Sequence, residues 1–319
     1  MTIKSIIKEL EEKWGEGAVR LGDNDKIEKI EVIPTPSVSL NTALGIGGIP
    51  IGRVVELYGN FSSGKSTLAL QLVAETQKMG KKCVYVDIEH ALDLGYAKNL
   101  GVNLNDLLIS QAGSAEEAMD IVETFIKEGD IGLIVVDSVA AMTVQAEING
   151  TMGQSHIGLL ARLMGQALRK ITSIKSNAAI IFINQIRDNI NIFYGSELTT
   201  TPGGKALKFF SSIRIEMRQS AKLKKGDEIV GNRTKVRITK NKLASPFKCC
   251  EFDITYGRGI NKESDLVAFG LSNKILRKEG NSIFFKDIKL GGKLETAKKY
   301  LEENKEIFDK ILEEIKKVE

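Results

Sequence analysis

Residues Gly59-Asn60-Phe61-Ser62-Ser63-Gly64-Lys65-Ser66 fit the phosphate-loop pattern G-x-x-x-x-G-K-[ST], in the context that gives the pattern meaning. The β-type run Arg53-Val54-Val55-Glu56-Leu57-Tyr58 precedes it, and the helix-type run from Thr67 to Val73 follows. Strand, loop and helix in that order restrict the chain to an α/β fold. Gly59 and Gly64 let successive N–H groups converge on a polyphosphate, and the helix adds its positive N-terminal end. Lys65 supplies a cation to the outer phosphates, and the Ser66 hydroxyl is a hard oxygen ligand for Mg²⁺. Nucleotide binding is therefore assigned to Gly59, Asn60, Phe61, Ser62, Ser63, Gly64, Lys65, Ser66 and Thr67. A glycine-rich surface turn ahead of a helix is the bland alternative.

At 319 residues the chain has room for about two domains. No apolar run approaches the roughly 20 residues of a membrane span. Ile3, Ile6, Ile7, Leu10 and Trp14 recur at helical spacing with Lys and Glu between them, and no small-residue cleavage site follows, so the N-terminus is an amphipathic helix and not a signal peptide. Cys83, Cys249 and Cys250 show neither a metal spacing nor a disulfide framework, which fits a reducing cytoplasm. A net charge of +4 permits nucleic-acid binding without requiring it.

Residues 1–30 read as an N-terminal appendage ending before Pro34 and Pro36. Strands are expected at 53–58, 82–88, 106–110, 132–136 and 178–184, with helices at about 66–79, 91–100, 114–128 and 156–175. This alternation implies a mainly parallel central sheet covered on both faces. Strands near 211–218, 234–240 and 249–255 follow without helices, suggesting an antiparallel extension. From Asn261 onward a strand-like piece (282–286) stands among Lys/Glu-rich helical segments at 293–303 and 304–317, the pattern of a small C-terminal α/β domain over 262–319.

Parallel sheets bind ligands beyond the carboxyl ends of their strands. Three polar groups stand at such ends. Leu133-Ile134-Val135-Val136-Asp137 closes on a carboxylate that can hold Mg²⁺ through water. Glu89 follows Val84-Tyr85-Val86-Asp87-Ile88, where a general base could orient water against the γ phosphate. Asp87 competes with it on pattern alone. Gln185 ends Ala179 to Asn184 and can sense the same phosphate. Each could be a cap or turn residue by itself; together with the phosphate loop they indicate a nucleoside triphosphatase.

These residues, with Glu89-His90-Ala91-Leu92-Asp93, Val135 to Ala141, Phe182 to Arg187, Gly203 to Phe209 and Lys240-Asn241-Lys242, resemble the bacterial RecA recombinase family in the same order and over nearly the whole chain. The resemblance implies a RecA-type ATPase core (31–261) that uses ATP and Mg²⁺. It also implies helical homo-oligomeric filaments on single-stranded DNA, pairing with double-stranded DNA, strand exchange in repair, and an SOS role through a LexA-type repressor. It gives Lys65 and Ser66 the phosphate and Mg²⁺, Asp137 the Walker B role, Glu89 water activation, and Gln185 the reporting of the γ phosphate. Asp93, Tyr96 and Tyr256 match adenine-binding positions. Lys240 and Lys242 match lysines that reach the ATP of the neighbouring subunit.

Glu147 to Ile157 and Ile186 to Lys205 are too polar and glycine-rich for core, and loops of such length are functional or disordered. They correspond to the family's DNA-binding loops. Arg162, Arg169, Arg187 and Lys205, with the backbone of Gly203 and Gly204, can hold phosphates. Arg162 and Arg169, seven apart on one helix face, also fit a solvated stripe. Ile157 and Ile190 match positions where an apolar side chain wedges between bases. Departures from the family are Phe61 in place of an acid, Gly195-Ser196-Glu197-Leu198 in the second loop, and a charge-balanced C-terminus without an acidic tail. A hexameric motor or regulatory ATPase and a nucleotide kinase are the competing classes; the N-terminal stripe favours a helix that docks on the next subunit, with packing on its own core as the alternative.

Overall fold

The computed structural model describes residues 2–15, 18–19, 30–128, 130–188 and 199–318. The chain divides into two units, Met1–Glu31 and Val32–Glu319. In the first, helix α1 (Ile3–Trp14) ends at Gly15, whose N–H donates to Glu11 O at 2.8 Å. Ile3, Ile6 and Trp14 are exposed, and no residue of α1 is fully buried.

The second unit opens with β1 (Val32–Ile33), α2 (Val38–Leu44) and β2 (Ile49–Pro50). It then runs β3 (Val54–Gly59), α3 (Lys65–Lys78), β4 (Lys82–Asp87), α4 (Leu94–Asn99), β5 (Leu107–Ser110), α5 (Ala115–Glu128), β6 (Ile131–Asp137), α6 (Gln145–Ile148), α7 (Leu159–Ser173) and β7 (Ala179–Gln185). Short strands β8 (Arg187–Asp188) and β9 (Thr199–Thr200) and helix α8 (Ala206–Phe210) lead into β10 (Ile213–Lys225), β11 (Glu228–Asn241), β12 (Cys249–Thr255) and β13 (Gly259–Ile260). The chain closes with α9 (Lys262–Ser272), β14 (Arg277–Glu279), β15 (Ser282–Phe285), β16 (Ile288–Gly291), α10 (Leu294–Glu303) and α11 (Lys305–Val318).

Nine strands form one sheet in the order β13-β12-β11-β10-β3-β7-β6-β4-β5. From β10 to β5 every pairing is parallel. The parallel strands read as continuous apolar runs because both faces are covered. Val55, Tyr85, Val135 and Ile181 pack with α2, α3 and α4, whereas their neighbours Val54, Val84, Ile134 and Ile180 pack with α5 and α7. The period of two in a strand sends alternate residues to opposite layers.

Register sets the site. Gly59 lies opposite Gln185 in the β3–β7 pair, and Asp87 opposite Asp137 in the β4–β6 pair, so the strand ends form one row. Three local differences from the sequence pattern have physical causes. Helix α4 starts at Leu94 and not at 91, because the N–H groups of Ala91 and Leu92 are held by Asp87 and Asp93 caps the helix. Helix α7 starts at Leu159, after the left-handed Gly158. The segments expected at 211–218 and 234–240 belong to one long hairpin, β10–β11, of 13- and 14-residue strands. Beyond Met217 strand β10 leaves β3 and is largely exposed, and the buried side chains of β11 there are the polar Asn232 and Thr234, which show no apolar alternation for a sequence reading to find.

Residues from α9 onward enclose their own core, in which Leu266, Leu276, Phe285, Leu301 and Ile311 meet the three-stranded antiparallel sheet β14-β15-β16. A buried carboxylate ties this layer to α2. Asp265, 3% exposed, accepts hydrogen bonds from Ser37 Oγ (2.9 Å), Ser39 N (3.1 Å) and Ser39 Oγ (2.5 Å). Replacing it by Ala strands these donors, so Asp265→Ala is expected to lower the unfolding free energy by about 2 kcal/mol. Urea denaturation reads this, and an unchanged midpoint and slope would contradict it.

Candidate functional site

The phosphate loop occupies the five-residue passage from the end of β3 to the start of α3, with Ser62 (φ 56°) and Gly64 (φ 92°) both left-handed. Such alternation folds the backbone into an anion-binding concavity at the helix N-terminus. Gly64 admits no side chain: besides its φ, a Cβ would stand 2.2 Å from Ile254 Cδ1. From the far side β11 grips the loop, Asn232 Nδ2 donating to Ser62 O (3.1 Å) and Thr234 Oγ1 to Ser63 O (3.3 Å). Sequence reasoning missed both residues. They lie some 170 positions from the loop, and nothing local marks them.

Lys65 is 8% exposed, and its Nζ donates to Gly59 O (3.1 Å) and Asn60 O (2.7 Å) at the mouth of the loop. Burial lowers its pKa, while Asp137 and Glu89 oppose that shift. Asp137 Oδ2 accepts from both Ser66 Oγ and Tyr85 OH at 2.7 Å. Burial pushes the Asp137 carboxyl up, and the hydrogen bonds from Tyr85 and Ser66 pull it back. Tyr85, also missed, stands in an apolar run and reads as core. Its ring is in the core, and only its hydroxyl reaches the site.

Asp87 and Glu89 part company here. Asp87 is 2% exposed and accepts the backbone N–H groups of Ala91 (3.2 Å) and Leu92 (3.0 Å), so it shapes the turn after β4. Glu89 is exposed; its Oε1 accepts from Ser138 Oγ and from Gln185 Nε2 (3.2 Å). The backbone N–H of Ile88 donates to Asp137 O (2.8 Å), which brings the exit of β4 beside the end of β6. Glu89, Gln185, Asp137, Ser66 and Lys65 thus gather at one edge of the sheet.

Thr67 Oγ1 and Tyr96 OH share a hydrogen bond of 2.9 Å, and Asp93 Oδ1 accepts from Tyr96 N (3.0 Å), so these three residues adjoin the start of α3. Tyr256 is half-exposed on the turn between β12 and β13, a turn held to α3 by Ile260 N donating to Gln71 Oε1 (3.0 Å). Phe61 is 85% exposed on the loop.

The end of the second glycine-rich loop packs on α7, the helix that follows the first. Gly204 lies so close to α7 that a Cβ would stand 2.7 Å from Ala161 Cβ, and one on Gly203 would meet Val139 Cγ1 at 3.0 Å. Ile157 (93% exposed), Arg162 and Arg169 are exposed at and beyond the start of α7, as is Lys205 after Gly203 and Gly204. Arg169 Nε donates to Gly165 O (3.3 Å). The exposed Arg187 pairs with Thr200 in the antiparallel β8–β9 ladder that closes the base of the second loop. Ile190 lies outside the described residues.

Lys240 and Lys242 stand apart from the phosphate loop of their own chain. Lys240 Nζ donates to Lys208 O (2.6 Å) and Phe209 O (2.8 Å), and Lys242 Nζ to Phe209 O (3.4 Å), at the C-terminal end of α8. Burial, then the neighbouring charges of Lys242 and Arg214, lower the Lys240 pKa.

Residues 1–261 match the RecA N-terminal domain family. Protein RecA of Caldanaerobacter subterraneus subsp. tengcongensis is 49% identical over 317 residues, covering 98% of this chain and 92% of that protein. Protein RecA of Campylobacter hominis is 52% identical over 318 residues (98% and 91%), and that of Helicobacter hepaticus 51% over 318 residues (98% and 92%). Similarity at this level across both the ATPase core and the C-terminal layer does not favour the ring-motor alternative, and the chain belongs to the bacterial RecA recombinase family.

Proposed function

We propose a division of labour among the gathered residues for the family's reaction, DNA-dependent ATP hydrolysis coupled to homologous pairing and strand exchange in DNA repair. The observation that carries it is the continuous set of contacts from Ser66 and Asp137 under the phosphate loop to Glu89 and Gln185 at the base of the second glycine-rich loop. Lys65 and the loop N–H groups hold the β and γ phosphates of ATP. Glu89, oriented by Ser138 and Gln185, accepts a proton from the attacking water. Gln185 couples that carboxylate to the second loop.

The Ser66 hydroxyl and the Asp137 carboxylate are hard oxygens 2.7 Å apart, and a desolvated carboxylate beneath a phosphate loop suits a small divalent cation. Ser66 would hold Mg²⁺ directly and Asp137 through water. When bound, the ion offsets phosphate charge. Asp93, Tyr96 and Tyr256 embrace the adenine. Lys240 and Lys242 serve the next subunit: two adjacent cations repel each other, and a neighbour's γ phosphate relieves that repulsion at the moment of assembly.

In this reading residues 1–30 form an oligomerisation helix and linker, 31–261 the ATPase core, and 262–319 a small C-terminal domain. Single-stranded DNA lies along Ile157, Arg162, Arg169, Arg187, Ile190, Gly203, Gly204 and Lys205. Among the described residues no helix is long and apolar enough to cross a membrane, and the cytoplasm is the proposed compartment. A LexA-type repressor is a further proposed partner of the filament.

Glu89→Gln is expected to retain ATP binding and filaments while losing at least about a hundredfold in turnover on single-stranded DNA. Gly64→Ala should lose nucleotide binding itself. Normal hydrolysis by Glu89→Gln would refute its role as base. For catalysis between subunits, the double variant Lys240→Ala, Lys242→Ala should bind nucleotide and lack DNA-stimulated turnover. Mixed with Lys65→Ala, which keeps both lysines but not the phosphate cation, it should recover activity at mixed interfaces. Mixtures no more active than the sum of their parts would count against trans action.

A further inference from the structure

Strand β3 carries an acid that none of these roles uses. Glu56 is fully buried in a strand whose other residues pack as core. Its Oε2 accepts from Arg214 Nε on β10 (2.5 Å), and its Oε1 accepts from Asn184 Nδ2 on β7 (3.1 Å). Asn184, also 0% exposed, donates through Nδ2 to Pro202 O (3.0 Å), and its Oδ1 accepts the backbone N–H of Gln185 (3.0 Å). One buried amide therefore touches the start of the second loop at Gln185 and its end at Pro202, just before Gly203 and Gly204. Arg214 lies opposite Lys240 in the β10–β11 register and stacks on Tyr58, 4.4 Å from the ring centroid.

A buried carboxylate is costly unless paired and hydrogen-bonded, and an apolar residue of similar volume often serves stability as well or better. What Glu56 supplies is direction: a fixed acceptor that orients Asn184, whose amide leaves one hydrogen for Pro202. We propose that Glu56 and Asn184 are positioning residues that clasp the two ends of the second loop, so that a shift at Pro202 on DNA binding is felt at Gln185 and, through it, at Glu89. The inference rests on the reading of 186–205 as a DNA loop. The clasp joins parts of a single chain and acts in every subunit of the filament.

The test compares single-stranded DNA affinity with and without ATP in the full-length protein. Asn184→Ala removes the bridge and leaves the Glu56–Arg214 pair; the nucleotide-dependent gain in DNA affinity should fall by about tenfold, with ATP affinity in the absence of DNA unchanged. Glu56→Gln, which turns one of the two acceptor oxygens into an NH2 donor facing Arg214 or Asn184, should reduce the same gain, and it is read alone if Asn184→Ala fails to fold. A merely structural role would lower thermal stability and leave the gain intact, which would overturn the proposal. Lys205→Ala is the control for the loop itself. If it weakens DNA binding while the clasp variants keep the full gain, the clasp is wrong and the loop reading stands. If Lys205→Ala and a deletion within 199–201 both leave DNA binding unchanged, the loop reading fails and takes the clasp with it.

Discussion

Parallel pairing of β3, β7, β6 and β4 is the constraint on which the site depends. A parallel register makes strands end together, and here the ends carry Gly59, Gln185, Asp137 and Asp87 in one row. This row brings residues from four separate βα connections to one end of the sheet, where ligands of parallel sheets bind. The pairing extends one step beyond the strands, since Asp137 O accepts the N–H of Ile88, and that step delivers Glu89 to Ser138 and Gln185. A slip of one residue in β4 would move every side chain of that strand to the opposite layer, taking Tyr85 away from Asp137.

The antiparallel extension does a second job. Strand β11 holds the phosphate loop through Asn232 and Thr234, and near its other end it presents Lys240 and Lys242. Displacement along this strand therefore reaches both the phosphate loop and Lys240. The small C-terminal layer, pinned to α2 by Asp265, contributes no residue to the row of strand ends.

What the sequence revealed depended on range. The phosphate loop, the Asp137 strand and the alternation of layers are local patterns, written in consecutive residues, and their signals survive without the fold. Local pattern leaves Asp87 and Glu89 in competition, both acids at a strand exit; the family resemblance picks Glu89, and the turn geometry commits Asp87 to Ala91 N and Leu92 N. Asn232, Thr234 and Tyr85 act across distant positions, and each had an ordinary alternative as a polar strand residue or core aromatic. The full hairpin β10–β11 was half legible, because the outer part of β10 is largely exposed and the buried side chains of β11 there are the polar Asn232 and Thr234, which write no apolar period.

Glu56, Tyr85, Asp137 and Asn184 are all nine-tenths or more buried in strands that otherwise read as hydrocarbon. Each is hydrogen-bonded, as burial demands, yet satisfaction alone does not explain their presence, since apolar substitutes would spare the desolvation. Their partners do: Tyr85 and Ser66 fix the Asp137 carboxylate, and Glu56 and Asn184 fix Pro202 and Gln185. The two sets meet at Glu89, which Gln185 touches from one side and Ser138, next to Asp137 in the chain, from the other. A polar network within an apolar sheet has few alternative arrangements of low energy. That scarcity fixes the positions of Pro202, Gln185 and the Asp137 carboxylate relative to one another.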